Sequence, residues 1–117
     1  MRRSALIVDD HPSFRASARR MLEASGYLVL GEAADGEAAL AAARALRPDL
    51  VLLDVQLPDL DGFEVAERLA ALGGDSEVVL TSSRDRGDFG GAIEASPARG
   101  FIAKADLSGA TLAELVG

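Results

Sequence analysis

The chain has 117 residues, 49% apolar and 26% charged, a length that fits one folded domain and a composition outside the range of disordered chains. Twelve Lys and Arg stand against nineteen Asp and Glu, a formal net charge of −7 with the wrong sign for direct binding of DNA or RNA. With no Cys and one His, thiolate sites and His-based zinc or copper sites are excluded, so any metal must be held by oxygen.

The longest apolar run, Ala38 to Ala43, falls far short of the roughly 20 residues of a membrane span. Arg2 and Arg3 are followed by only Ala5, Leu6, Ile7 and Val8 before two aspartates, too few for a secretory core of roughly 7–15 residues. A single cytoplasmic domain over residues 1–117 that makes no membrane contact is expected.

Ala5 to Val8 is apolar without alternation, the pattern of a parallel strand buried on both faces. Phe14, Ala18, Met21 and Leu22 then recur on one helical face, opened by Pro12 and closed by Gly26. A strand around Leu28 to Gly31 leads to Asp35, a candidate N-cap, and to a helix facing inward through Ala39, Leu40, Ala43 and Leu46. Leu50 to Leu53 is the third strand, and Val65, Leu69 and Leu72 line the following helix, which Gly73 and Gly74 end. A strand at Val78 to Leu80, a weak helix over about Arg86 to Ala95, a strand at Phe101 to Ala103 and a last helix carrying Leu112, Leu115 and Val116 complete the chain. Five strands alternating with five helices predict an α/β fold, a doubly wound parallel sheet covered on both faces.

In such sheets ligands bind beyond the carboxyl ends of the strands. Those ends carry Asp9 and Asp10, then Asp54, then Thr81, Ser82 and Ser83, then Lys104. Three converging carboxylates would repel one another without a cation, and oxygen ligands of this kind suit magnesium. Magnesium is usually held by one or two carboxylates plus phosphate oxygens, which leaves an Asp free to act as nucleophile in phosphoryl transfer. A Lys ammonium and a Ser or Thr hydroxyl would then bind the oxygens of the transferring group.

The runs Ile7-Val8-Asp9-Asp10-His11-Pro12, Asp54-Val55-Gln56-Leu57-Pro58-Asp59-Leu60-Asp61-Gly62, Leu80-Thr81-Ser82 and Gly100-Phe101-Ile102-Ala103-Lys104 resemble the receiver domain of two-component response regulators. The resemblance covers nearly the whole chain and implies the flavodoxin-like (βα)5 receiver fold. It implies Asp54 as phospho-acceptor, Asp9 and Asp10 as magnesium-binding acids, and the backbone carbonyl of Gln56 as a further ligand. It also implies Thr81 as the switch hydroxyl, Lys104 as the phosphate-binding lysine, and Phe101 as the aromatic that changes rotamer on activation. The implied partner is a sensor histidine kinase or phosphotransfer protein. The output partner is unspecified, and a homodimer can form on phosphorylation through the surface of the fourth helix, fifth strand and fifth helix. Such a domain is no enzyme beyond its own phosphorylation and dephosphorylation.

Pro58 and Gly62 read as structural, Gly62 by supplying a backbone conformation closed to other residues just before a helix, and Asp59 and Asp61 as solvated or capping the third helix. His11 reads as a neighbour of Pro12 at a helix start, and Arg15, Arg19 and Arg20 as solvated. Ala105 follows Lys104 where many receivers carry Pro, so a trans bond is expected there. Gly87, Gly90 and Gly91, at roughly 1 kcal/mol each against Ala, make the fourth helix the least ordered, to be ordered by phosphorylation while Phe101 turns inward. Two further readings stand beside the single-domain regulator. One is the receiver half of a truncated DNA-binding regulator. The other is an aspartate-nucleophile phosphohydrolase, disfavoured because Gln56 occupies the place of its second Asp; a flavodoxin-like cofactor binder is weaker still, for want of aromatic residues and a Gly-rich loop.

Overall fold

The computed structural model describes residues 2–116. The chain runs β1 (Ser4–Val8), α1 (Pro12–Ala24), β2 (Leu28–Ala33), α2 (Gly36–Leu46), β3 (Leu50–Asp54), α3 (Gly62–Ala71), β4 (Glu77–Ser82), α4 (Ala92–Ala95), β5 (Gly100–Ala103) and α5 (Gly109–Val116). Short 3-10 turns at Arg86–Phe89 and Lys104–Asp106 flank α4 and follow β5. All strand pairs are parallel, in the order β2-β1-β3-β4-β5. No described helix is long and apolar enough to cross a membrane.

Successive strand residues feed opposite faces, which is why the strands read as unbroken apolar runs. Leu6, Val8, Val51, Leu53, Leu80 and Phe101 pack with α2, α3 and α4, through Ala39, Ala43, Val65, Leu69 and Ile93. On the other face Ala5, Ile7, Leu50, Leu52, Val79 and Ile102 pack with Ala18 and Leu22 of α1 and Leu112 and Val116 of α5. Ala5 to Val8 and Leu50 to Leu53 are all fully buried. Each such Leu, Ile or Val contributes about 1.5–3 kcal/mol relative to exposure, so β1 and β3 are the most firmly seated strands. Strand order reverses between them, and Asp9 and Asp54 emerge there.

Several boundaries differ from the sequence reading. β2 extends to Ala33, because its register with β1 shifts between Ala5 and Leu6, a bulge that breaks the periodicity. Leu46 and Leu72 are 40% and 44% exposed rather than core residues: Leu72 caps the end of α3, and Leu46, at the last turn of α2, lies over Gly31 of the edge strand β2, which covers only part of it. The weak helix expected over Arg86 to Ala95 is instead a 3-10 turn, a break at Gly90 with φ of +57°, and the single turn of α4. A left-handed φ at Gly90 cannot continue a right-handed helix. As expected, the Lys104–Ala105 bond is trans, as are all peptide bonds among the described residues.

Candidate functional site

β1 delivers Asp9, which is fully buried, and the chain then turns at Asp10 into α1, whose first turn Pro12 opens. The Asp9 N–H continues the strand ladder by donating to Ala33 O at 3.0 Å. Asp9 Oδ1 accepts from the His11 N–H at 2.8 Å, and His11 Nδ1 stands 3.0 Å from Asp9 Oδ1 and 3.1 Å from Asp10 Oδ1. Lys104, at the end of β5, places Nζ 2.6 Å from Asp9 Oδ2 and 3.5 Å from Asp54 Oδ2. The same ammonium lies 4.3 Å from the ring centre of Phe14, so an aromatic face of α1 holds the lysine from the other side.

Asp54, only 3% exposed, ends β3 and pairs in register with Thr81 of β4; its Oδ1 accepts from the Gln56 N–H at 3.2 Å. Thr81 is fully buried, and its Oγ1 has no hydrogen-bond partner among the described residues. Beyond Asp54 the backbone doubles back in a tight turn. Val55 O accepts from the Gly62 N–H at 2.6 Å, and Gln56 bridges to Asp61. A Cβ at Gly62 would fall 2.5 Å from Asp54 O and 2.7 Å from the Val55 Cα, so no side chain fits where the turn passes the acid. Asp61 caps α3 by accepting from the Glu64 N–H at 2.8 Å, as its position suggests. Asp59 does not face solvent alone or cap α3. It caps α2, with Oδ1 accepting from the Gly36 N–H at 2.7 Å and Oδ2 from the Glu37 N–H at 2.9 Å, which no local sequence signal encodes.

One lysine serves two buried carboxylates, and it sits closer to Asp9. Burial alone would push the Asp9 carboxyl up, but the hydrogen bond and charge of Lys104 and the donors of His11 outweigh it and hold Asp9 below the usual range. Asp54 is left under-compensated. Burial and then the Asp9 charge raise it to about 6, against the opposing pull of the Gln56 N–H and Lys104. Asp54 is therefore ionised at neutral pH yet poorly neutralised, a state that favours an incoming electrophile or cation.

Asp9, Asp10, His11 and Asp54 can each offer a ligand atom, all within 4.8 Å of one another. Asp9, Asp10, Asp54 and Lys104 thus form one cluster, with Thr81 on the rung beside Asp54. Gln56 follows two residues after Asp54 and is exposed. Phe101 stands apart, 7% exposed, packed 5.6 Å from the Phe89 ring with the Arg86 guanidinium 5.9 Å from its centre. Its ring is packed inward in this structure. The sequence places Phe14 on the inward face of α1, and its contact with Lys104 has no sequence signal because the two lie 90 positions apart. Arg15 and Arg19 are not free in solvent: both pair with Glu32, at 2.9 Å each.

The family model described as the response regulator receiver domain matches residues 5–115. The response regulator GacA of Pseudomonas viridiflava is 38% identical over 112 residues, covering 95% of this chain and 50% of that protein. Protein-glutamate methylesterase/protein-glutamine glutaminase 6 of Anaeromyxobacter dehalogenans is 41% identical over 105 residues, covering 89% of this chain and 30% of that one. Among solved structures, the signal receiver domain of the response regulator NarL from Mycobacterium tuberculosis superposes with a TM-score of 0.87 at 33% identity, covering 99% of this chain and 98% of that one. The chain spans about half the length of the first curated relatives it matches. A family match across nearly every residue, on a sheet whose order and strand-end acids agree with it, places this chain in the response regulator receiver domain family.

Proposed function

We propose that this receiver accepts a phosphoryl group on Asp54 from the phosphohistidine of a sensor kinase or phosphotransfer protein. The observation that carries this reading is an under-compensated buried carboxylate with two groups beside it: the Lys104 ammonium 3.5 Å away and, on the neighbouring rung, the Thr81 hydroxyl, which has no partner among the described residues. In the transfer, an Asp54 carboxylate oxygen attacks phosphorus, the P–N bond to the donor imidazole breaks, and the departing ring takes up a proton. The product is an acyl phosphate, which water later returns to carboxylate and inorganic phosphate. Lys104 offsets charge on the phosphoryl oxygens, and the Thr81 hydroxyl donates to one of them.

The donor set also fits magnesium. Oxygen ligands dominate it, and the net negative charge of three aspartates beside one lysine is what a hard divalent ion offsets. Asp9, Asp10, Asp54 and the Gln56 backbone carbonyl would hold the ion. When bound, it supplies charge neutralisation on the phosphate oxygens. The α4-β5-α5 surface, with Phe101 beneath Arg86 and Phe89, then passes the state of Asp54 to an output partner. The test is exposure to acetyl phosphate with and without magnesium, read by intact mass and peptide mapping. One phosphate on Asp54 that needs magnesium is expected, and Asp54→Asn abolishes it; a phosphate mapped to Asp59, Asp61 or His11 would overturn the assignment.

A further inference from the structure

Asp10 is the least supported acid of the cluster. Its side chain is 38% exposed, and its one ion-pair contact among the described residues is with His11, itself 65% exposed. Asp9, by contrast, is fixed by Lys104, by the His11 N–H and by its own N–H on Ala33. What aims Asp10 toward Asp54 is therefore the orientation of the peptide group that joins it to Asp9, and the oxygen of that group is the Asp9 carbonyl. That carbonyl accepts a 2.7 Å hydrogen bond from Arg15 Nη1.

Arg15 is itself held. Its Nε donates to Glu32 Oε1 at 2.9 Å, while Glu32 Oε2 accepts from Arg19 Nε at 2.9 Å. The Arg15 side chain is 18% exposed and that of Glu32 29%, so the guanidinium is largely covered while the carboxylate that braces it stays at the surface. Glu32 lies on β2 one residue before Ala33, whose carbonyl holds the Asp9 N–H. Both ends of the Asp9 backbone are thus tied to the same short stretch of β2, directly through Ala33 and through Glu32 and Arg15. The guanidinium is suited to this because two of its N–H groups diverge in a fixed fork, one to the carboxylate and one to the carbonyl. Hydrogen bonds from the two arginines, against burial, keep the Glu32 carboxyl below its usual range, so the brace is charged at any physiological pH.

We propose that Arg15 is a positioning residue for divalent-cation binding: braced by Glu32, it fixes the Asp9–Asp10 peptide and so presents Asp10 to the ion. The inference rests on the magnesium reading of the cluster. It makes a prediction whose sign opposes simple electrostatics. Removing a positive charge near a cation site should tighten cation binding, whereas removing a brace should weaken it.

The experiment is calorimetric titration of the whole chain with magnesium chloride, without phosphodonor. It compares wild type with Arg15→Ala, Arg15→Lys and Arg19→Ala, each checked for folding by circular dichroism. Arg15→Ala is expected to weaken magnesium binding about tenfold, as is usual for loss of an outer partner of a metal site. Arg15→Lys keeps the charge but lacks the fork, and should lie between wild type and Arg15→Ala. Arg19→Ala removes an equal charge without touching the Asp9 carbonyl, and should leave binding unchanged or slightly tighter. With acetyl phosphate, Arg15→Ala should raise the magnesium concentration for half-maximal labelling by a similar factor, with the saturated rate within about twofold of wild type. Unchanged or tighter binding in Arg15→Ala overturns the proposal, as does loss in Arg19→Ala equal to that in Arg15→Ala. If Arg15→Ala does not fold, wild-type affinity in Arg15→Lys overturns it by itself. Failure of the wild type to bind magnesium would sink the metal reading first, an outcome distinct from all of these.

Discussion

At the scale of single residues, the site was legible where a residue's chemistry is exposed by its own neighbourhood in the chain, and illegible where the partner comes from another element. Asp9, Asp54 and Lys104 announce themselves by ending apolar strands, and the structure brings all three together. Phe14, Arg15 and Asp59 do not, because their partners Lys104, Glu32 and Gly36 are supplied by the packing of separate elements. Gly62 falls between the two. Its place before a helix marks it as structural, but the reason is the 2.5 Å approach of its missing Cβ to the Asp54 carbonyl, with φ outside the left-handed region. That contact is with backbone, which cannot swing aside as a side chain can. Gly62→Ala should cost about 1–3 kcal/mol or more by overpacking, lowering the melting temperature by at least roughly 4 °C. It should also weaken Asp54 labelling by shifting the turn. Gly74→Ala, where an added Cβ meets nothing within 4 Å, is the control and should melt within about 2 °C of wild type.

At the scale of elements, strand and helix identity followed from periodicity wherever burial is one-sided or complete, and failed where the chain departs from regular geometry. The bulge opposite Ala5 and Leu6 hid the last part of β2, and the positive φ of Gly90 divided what had read as one weak helix. The three glycines of that segment now take separate roles. Gly90 is required by its conformation, whereas Gly87 and Gly91 have ordinary φ and open space around an added Cβ. Gly87→Ala and Gly91→Ala should each stabilise the segment by about 0.4–1 kcal/mol, and Gly90→Ala should destabilise it by about 1–2 kcal/mol. Amide hydrogen exchange is the measurement. In the unphosphorylated protein the amides of residues 84–95 should exchange faster than those of α1; the double variant Gly87→Ala and Gly91→Ala should slow them by up to about tenfold, and Gly90→Ala should speed them. Protection equal to α1 in the wild type would show that the Phe89–Phe101 and Arg86–Glu94 contacts, and not the glycines, set the order of this segment.

At the scale of the whole molecule, the fold was legible because strict alternation of elements and the two-faced burial of β1 and β3 leave few ways to arrange a parallel sheet. The sequence could not show how that arrangement distributes charge, since a net charge of −7 says nothing of where the least neutralised carboxylate lies. The structure puts it at Asp54, whose carboxyl is raised from 3.8 to about 6 in the folded chain. A folded-state value above the unfolded one means that the native protein holds the proton more tightly across that window. The favourable contribution is then complete below about pH 4 and is lost as pH rises through 6. Above that, ionised Asp54 costs the fold on the order of 2–3 kcal/mol, the free-energy equivalent of the shift from 3.8 to about 6. In chelator, Asp54→Asn should therefore be more stable than wild type at pH 7, by up to roughly 10 °C in melting temperature, and the gap should close as the pH is lowered toward 4. Asp9, whose carboxyl is lowered, acts in both proteins and removes stability only at pH values below its usual range, so it does not mimic this convergence. Magnesium should act in the opposite sense at neutral pH: it stabilises wild type by mass action while Asp54→Asn responds less, so their melting curves approach one another. Thermal melts at pH 4 and pH 7, each with chelator and with millimolar magnesium, would decide it; a variant no more stable than wild type at pH 7 in chelator would mean that Lys104 already neutralises Asp54 in full.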